Sequence, residues 1–182
     1  AYTIHRKNDV NYESVGIPFK DVKIEIFEPD KEGLGEIIVK NKNCMNGYFS
    51  NDREEIKMSS REWFYTGDAG YFNAEGNLVV IDRIADLSFT SEKLRYSPQY
   101  LENKLKFSPF IAEAAVIGSN KPYLSAIICI RYSVLSKWAE QNRVAFTTYS
   151  DLASKSEIEK ILIDEVNKVN EAVPKKQIIR KF

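Results

Sequence analysis

The chain has 182 residues, enough for one domain with a true core or for two small units. Its 26 Lys+Arg match its 26 Asp+Glu, which speaks against a general nucleic-acid binder, because such proteins carry a basic excess or stripe. A hydrophobic content of 43% with 12% aromatics excludes a disordered chain.

No apolar run approaches the length of a membrane span, Ala126-Ile127-Ile128-Cys129-Ile130 being among the longest. The opening AYTIHRKNDV lacks the apolar core of a signal peptide. Cys44 sits in polar surroundings and Cys129 in an apolar run, a usage that fits neither a disulfide framework nor a zinc site. His5 has no companion with which to hold a metal. These features point to a reducing, cytoplasmic setting and to no protein-bound metal.

In chain order, Ser14-Val15-Gly16-Ile17-Pro18 reads as a turn leading into a strand. Val22 to Ile26 alternates apolar and polar residues at period two, the pattern of a half-buried strand. Pro29 to Gly35 is a turn-rich loop, and Glu36-Ile37-Ile38-Val39-Lys40 returns as a second strand, a plain meander that scaffolds without chemistry. Ser50 to Ser60 is polar and charged, and reads as an exposed loop or a short helix.

The stretch Trp63 to Arg83, WFYTGDAGYFNAEGNLVVIDR, carries the chemistry. Trp63-Phe64-Tyr65 forms an apolar block that Thr66-Gly67-Asp68 interrupts with a turn. Tyr71-Phe72 and Leu78-Val79-Val80-Ile81 flank Asn73-Ala74-Glu75-Gly76-Asn77, which reads as a hairpin with a Gly-containing loop. Asp82-Arg83 closes the second strand. This predicts a two-stranded ribbon with Asp68 at one end and Arg83 at the other, suited to gripping a small polyol such as ribose. An ionised carboxylate is acceptor-only and takes two hydroxyl donors at once, each bond being worth roughly 1.5–3 kcal/mol. A bare Thr-Gly-Asp is better explained as a turn chosen for backbone reasons.

Further on, Ser97 is a good helix cap and Pro98 suits the first helical position, with Leu101 and Leu105 on one face. Ile111 to Gly118 and Leu124 to Tyr132 read as strands joined by Ser119-Asn120-Lys121-Pro122. Their continuous apolar runs predict burial on both faces. Ser133 then caps a helix with Leu135, Trp138 and Ala139 on one side. Ser156 and Glu159 form a capping box for a last long helix whose stripe runs from Ile158 to Val173.

The Trp63–Arg83 stretch resembles a core motif of the adenylate-forming superfamily, which includes the acyl-CoA synthetases. GEIIVK with Met45-Asn46-Gly47-Tyr48 is similar to the strand and following segment that precede this motif in the family, and the likeness covers essentially the whole chain. It implies an α+β architecture: residues 1–83 as the β-rich end of a large domain, 84–86 as a hinge, and 87–182 as a small mobile α/β domain. It also implies that Asp68 and Arg83 hold the ribose of ATP and of the acyl-adenylate. Ile84-Ala85-Asp86 resembles the hinge, with Ala85 where the family often has a charged residue and Asp86 next.

Leu87 to Tyr96 matches the loop that relatives insert toward the active site for thioester formation. Ser91-Glu92-Lys93 stands where that loop usually carries glycine, so the loop is either remodelled or weakened in that role. Lys93 and Arg95 are candidates for phosphate or CoA contact, the alternative being that both are solvated. SPQYLENKLKFSPFI and the IDR ending resemble the long-chain fatty-acid branch.

The implied reaction joins a fatty acid to CoA with ATP and Mg2+. The carboxylate attacks the α-phosphate, giving acyl-AMP and pyrophosphate; the CoA thiolate then attacks the acyl carbon, releasing AMP. The resemblance further implies a missing N-terminal domain, a catalytic lysine beyond Phe182, no catalytic residue within the chain, and no activity of the chain alone. Peripheral membrane association stays open. Two alternatives remain: an acyl-AMP ligase that loads a carrier protein, and a non-catalytic α/β interaction module.

Overall fold

The alternation over Val22 to Ile26 and Glu36 to Lys40 becomes two paired strands in the computed structural model, which describes residues 2–42, 47–49, 55–57 and 63–182. The chain divides into two compact units, Ala1–Asp86 and Leu87–Phe182. The first holds β1 (Thr3–Ile4), β2 (Ile17–Pro18), β3 (Lys23–Phe27), β4 (Gly35–Lys40), β5 (Gly47–Phe49), β6 (Glu55–Lys57), β7 (Phe64–Phe72) and β8 (Leu78–Arg83), and ends in a 3-10 turn, Ile84–Asp86. Its main sheet has the order β3-β4-β7-β8, antiparallel throughout. Ile37, Val39 and Leu78 are buried on one face, with Ile24, Ile26 and Phe72 leaning on them.

The Ser14–Gly16 turn is stitched to the start of β8, Val15 N–H donating to Leu78 O and Leu78 N–H to Gly16 O, both at 2.8 Å. Gly16 has φ +85, and a Cβ there would lie 2.3 Å from the Ile4 carbonyl oxygen, so only glycine fits.

Two expectations about this unit change. Thr66-Gly67-Asp68 does not break the apolar block with a turn; β7 runs through it from Phe64 to Phe72. Glu36 pairs with Ala69 and Ile38 with Tyr65, so residues 66–68 bulge opposite the single residue Ile37. Gly67, at φ +74, supplies the left-handed backbone that a turn would also have used. Within the stretch Ser50 to Ser60, Glu55–Lys57 is a strand paired with Gly47–Phe49 and not a loop or short helix. The rest of that stretch, with Cys44 and Met45-Asn46, lies outside the described residues.

The second unit holds β9 (Ser88–Phe89), β10 (Arg95–Tyr96), α1 (Pro98–Lys106), β11 (Ile111–Ile117), β12 (Leu124–Ile130), α2 (Tyr132–Gln141), α3 (Tyr149–Ala153), α4 (Ser156–Glu171) and β13 (Ile179–Lys181). β9 and β10 form a hairpin, and β11-β12-β13 form a mixed sheet with β13 parallel to β12. Ser97 caps α1 as its sequence predicts, Oγ accepting from Tyr100 N–H at 2.9 Å with Pro98 at the first helical position. Leu101, Leu105, Leu135, Ala139, Leu152 and Ile158 are fully buried in the core these helices share with the sheet.

β11 and β12 are buried on one face only: Ile117 is 46% and Ile127 60% exposed on the other. Ser133 does not cap α2. Arg131 stands at its start, its guanidinium donating to Pro109 O and Ile111 O, and this anchor starts the helix at Tyr132. The Ser156–Glu159 capping box does not form either. Lys155 stands at the start of α4, held by Asp151 at 2.9 Å, and the Ser156 hydroxyl donates to Glu157 instead.

The stripe on α4 holds, with Ile158, Leu162, Val166 and Val169 buried, and Val173 is buried just past its end. Asn170 on α4 clamps β13, donating to Ile179 O at 3.0 Å and accepting from Ile179 N–H at 2.8 Å. No helix among the described residues is long and apolar enough to cross a membrane.

Candidate functional site

A register shift between β7 and β8, where Ile81 is passed over, sets Asp68 directly across from Arg83. The two therefore do not stand at opposite ends of the ribbon; both lie at its open end, as cross-strand partners. The start of one strand of an antiparallel hairpin lies beside the end of the other, so both residues share the end away from the loop. Arg83 Nη1 donates to Asp68 Oδ1 at 2.8 Å and to the Thr66 carbonyl at 3.1 Å. Both side chains are well exposed, 62% for Arg83 and 41% for Asp68, so the pair meets solvent and any ligand that approaches. It engages Oδ1, and Oδ2 accepts from no group among the described residues.

Asp68 and Thr66 also line an open groove of about 360 Å³ within the first unit, walled by apolar side chains that include Ile24, Ile37, Val39, Leu78 and Val80. Asp68 is the one charged residue among those walls, counting the described residues. A lone carboxylate beside an apolar wall suits a ligand with hydroxyl donors and a weakly polar body.

Ala85 and Asp86 are both exposed in the 3-10 turn that closes the first unit, and the boundary between the units follows Asp86. Lys93 and Arg95 belong to the second unit. Lys93 is exposed in the β9–β10 hairpin loop and holds a left-handed φ of +59, the conformation glycine adopts most readily. Its N–H donates to Thr90 O, and Thr90 N–H to Leu94 O, so the loop is closed by its own backbone. Arg95 is half-buried in β10, its carbonyl accepting from Gln177 Nε2 at 3.0 Å. No group of three or more His, Cys, Asp or Glu among the described residues is placed to hold a metal ion.

The residue that sequence reasoning passed over is Glu36, read there as part of a plain scaffold strand. Its Oε1 accepts from Gly67 N–H at 3.0 Å, within the bulge that carries Asp68. The signal was present as a carboxylate on a strand facing a Gly-centred motif, but only the register brings the two together.

The chain resembles known structures. The chain superposes on a crystal structure of the anthranilate CoA ligase AuaEII in complex with anthranoyl-AMP with a TM-score of 0.60 and 18% identity, over 99% of this chain and 32% of that one. Sequence relatives point the same way. A long-chain-fatty-acid–CoA ligase of Mycobacterium tuberculosis, FadD15, is 28% identical over 98% of this chain and 29% of its own length. A 2-succinylbenzoate–CoA ligase of Bacillus cereus is 35% identical over 58% of this chain and 22% of its own length. No protein-family model matches the chain.

The relatives and structural neighbours are adenylate-forming CoA ligases of acyl and aryl acids. The chain is similar to them along nearly its whole length, and it spans less than a third of the length of those two relatives.

Proposed function

We propose that the chain is part of an ATP-dependent ligase that joins a fatty acid to CoA through an acyl-adenylate, and that Asp68 and Arg83 hold the ribose of the nucleotide. The observation that carries this reading is the 2.8 Å carboxylate–guanidinium pair, exposed beside an apolar groove, with Oδ2 ready to accept a hydroxyl. A vicinal diol donates to the carboxylate, while the guanidinium, fixed on Thr66 O, orients it. Residues 1–83 then belong to a large domain, Ala85 and Asp86 to a hinge, and 87–182 to a domain that swings between the two half-reactions. Lys93 and Arg95 are the candidates for phosphate or CoA contact in that domain. Mg2+ would arrive on the phosphates of ATP and supply charge neutralisation there.

A fatty substrate is favoured by the similarity to a fatty-acid–CoA ligase over nearly the whole chain. The 35% identity to a 2-succinylbenzoate ligase favours a second reading, an aryl acid. A cytoplasmic setting belongs to the same proposal and fits Cys129, a free exposed thiol. On this reading the 182 residues alone do not form acyl-AMP.

AMP and 2′,3′-dideoxy-AMP titrated into the isotopically labelled chain test the ribose site. Amide shifts centred on residues 66–70 and 80–83, larger for AMP than for the dideoxy analogue, are expected. Equal responses to the two nucleotides, or shifts confined elsewhere, would overturn it.

A further inference from the structure

The bulge at Thr66–Asp68 puts backbone groups where the β4–β7 ladder cannot reach them, and side chains take over. Thr66 Oγ1 donates to Ile37 O at 2.7 Å and accepts from Asp68 N–H at 3.0 Å. Gly67 N–H, in the residue with φ +74, has its acceptor on another strand, Glu36 Oε1. Glu36 is itself fixed by backbone pairing on both sides, opposite Phe27 and Ala69. The rigid centre of the sheet therefore reaches, through one carboxylate, to the apex of the bulge. The same bulge offers Thr66 O and Asp68 Oδ1 to the Arg83 guanidinium, so its depth sets both members of the pair at once.

We infer that Glu36 is a positioning residue: by holding Gly67 N–H it fixes the bulge that aims Asp68 and Arg83 at a vicinal diol. This rests on the ribose reading above and extends it to a side chain that does not touch the ligand. The chemistry required is an oxygen acceptor at that point on β4. A charge is not required. Without the acceptor, Gly67 N–H turns to solvent, the bulge loses its tie to β4, and Asp68 samples positions in which a diol cannot bridge it to the guanidinium.

The test uses the full 182-residue chain with Glu36→Ala and Glu36→Gln. Gln retains an oxygen acceptor and Ala does not. Amide exchange of Gly67 reports the bulge, and the ratio of AMP to 2′,3′-dideoxy-AMP affinity reports the diol grip. In Glu36→Ala, Gly67 exchange should rise about tenfold and the diol preference should fall about tenfold, the loss of one hydrogen bond. Glu36→Gln should keep both close to the parent values. A merely structural role would lower the melting temperature and leave the diol preference unchanged, and that result overturns the inference.

So does a loss of preference in both variants with Gly67 protection intact, which would make Glu36 a distant charge and not a tie. If the unsubstituted chain fails to distinguish the two nucleotides, the ribose reading falls and the inference with it, while Gly67 exchange still shows separately whether Glu36 holds the bulge. Should Glu36→Ala not fold, Glu36→Asp, which withdraws the acceptor by one methylene, takes its place with the same expected direction.

Discussion

Replacing Asp68 by Asn separates the two roles that this side chain can have, because it preserves size and one oxygen acceptor while removing the charge. The folding role is small. With 41% of the Asp68 side chain and 62% of the Arg83 side chain exposed, solvent screens the ion pair, whose contribution to stability is at most about 1 kcal/mol. For a unit of this size that amounts to a fall in melting temperature of about 5 °C or less. The binding role is larger. A carboxylate accepting ribose hydroxyls makes bonds of roughly 1.5–3 kcal/mol each, against about 1 kcal/mol for a neutral amide. One or two such bonds weakened by substitution predict a loss of about 1–3 kcal/mol, or roughly 5- to 150-fold in Kd for AMP. Calorimetric titration with AMP and with 2′,3′-dideoxy-AMP, alongside a thermal melt, reads both quantities. The AMP affinity should fall toward that of the dideoxy nucleotide, which itself should change little. An AMP affinity that does not move would show that Asp68 is only a residue of the bulge. An equal loss for both nucleotides would place its effect away from the diol.

Two further outcomes follow from the second unit. Lys93→Gly should stabilise the β9–β10 hairpin by about 0.5 kcal/mol, since relief of the left-handed backbone at φ +59 exceeds the entropy glycine adds to the unfolded chain; a denaturant midpoint that falls would contradict this. Tyr96, which is buried, has its phenol pushed above the ordinary range by desolvation, with hydrogen bonds to Ser88 and the Gly118 backbone pulling the other way. Its folded pKa exceeds its unfolded one, so its contribution is complete below about pH 10 and is lost as pH rises through the folded value. Melting temperatures of the chain and of Tyr96→Phe should therefore diverge less and less from neutral pH into the alkaline range, and curves that stay parallel would sink the assignment.

The elements legible in the sequence are those decided by neighbours a few residues apart. Ser97 and Pro98 start α1 because cap and first turn are adjacent, and the α4 stripe is a matter of spacing within one helix. The hairpin around Asn73–Asn77 announces itself through Gly76, whose φ is +79. What stayed hidden depends on partners far away. β13 forms because Asn170 and the β12 backbone receive Ile179, and α2 begins where it does because Arg131 is tied to carbonyls some 20 positions earlier. Ser133 and Ser156 are sound cap residues by type, but each follows a residue already anchored elsewhere, and the helix begins at the anchor.

The candidate site shows the same limit most sharply. Asp68 and Arg83 were singled out by the resemblance of the Trp63–Arg83 stretch to a family motif, but their geometry depends on an irregularity that no local pattern announces. Counting outward from the loop, Phe72 faces Leu78 and Gly70 faces Val80, and a regular ladder would continue with Asp68 opposite Asp82. Two carboxylates would then meet across the strands, an arrangement that costs stability. The register shifts between Ala69 and Gly70, so that Ile81 on β8 is passed over and Asp68 meets Arg83. One additional residue on β8 thus converts a repulsive cross-strand pair into an ion pair, while three residues opposite Ile37 on the other edge of β7 give Asp68 its bulge. The site is therefore made by two misalignments of one strand against its two neighbours.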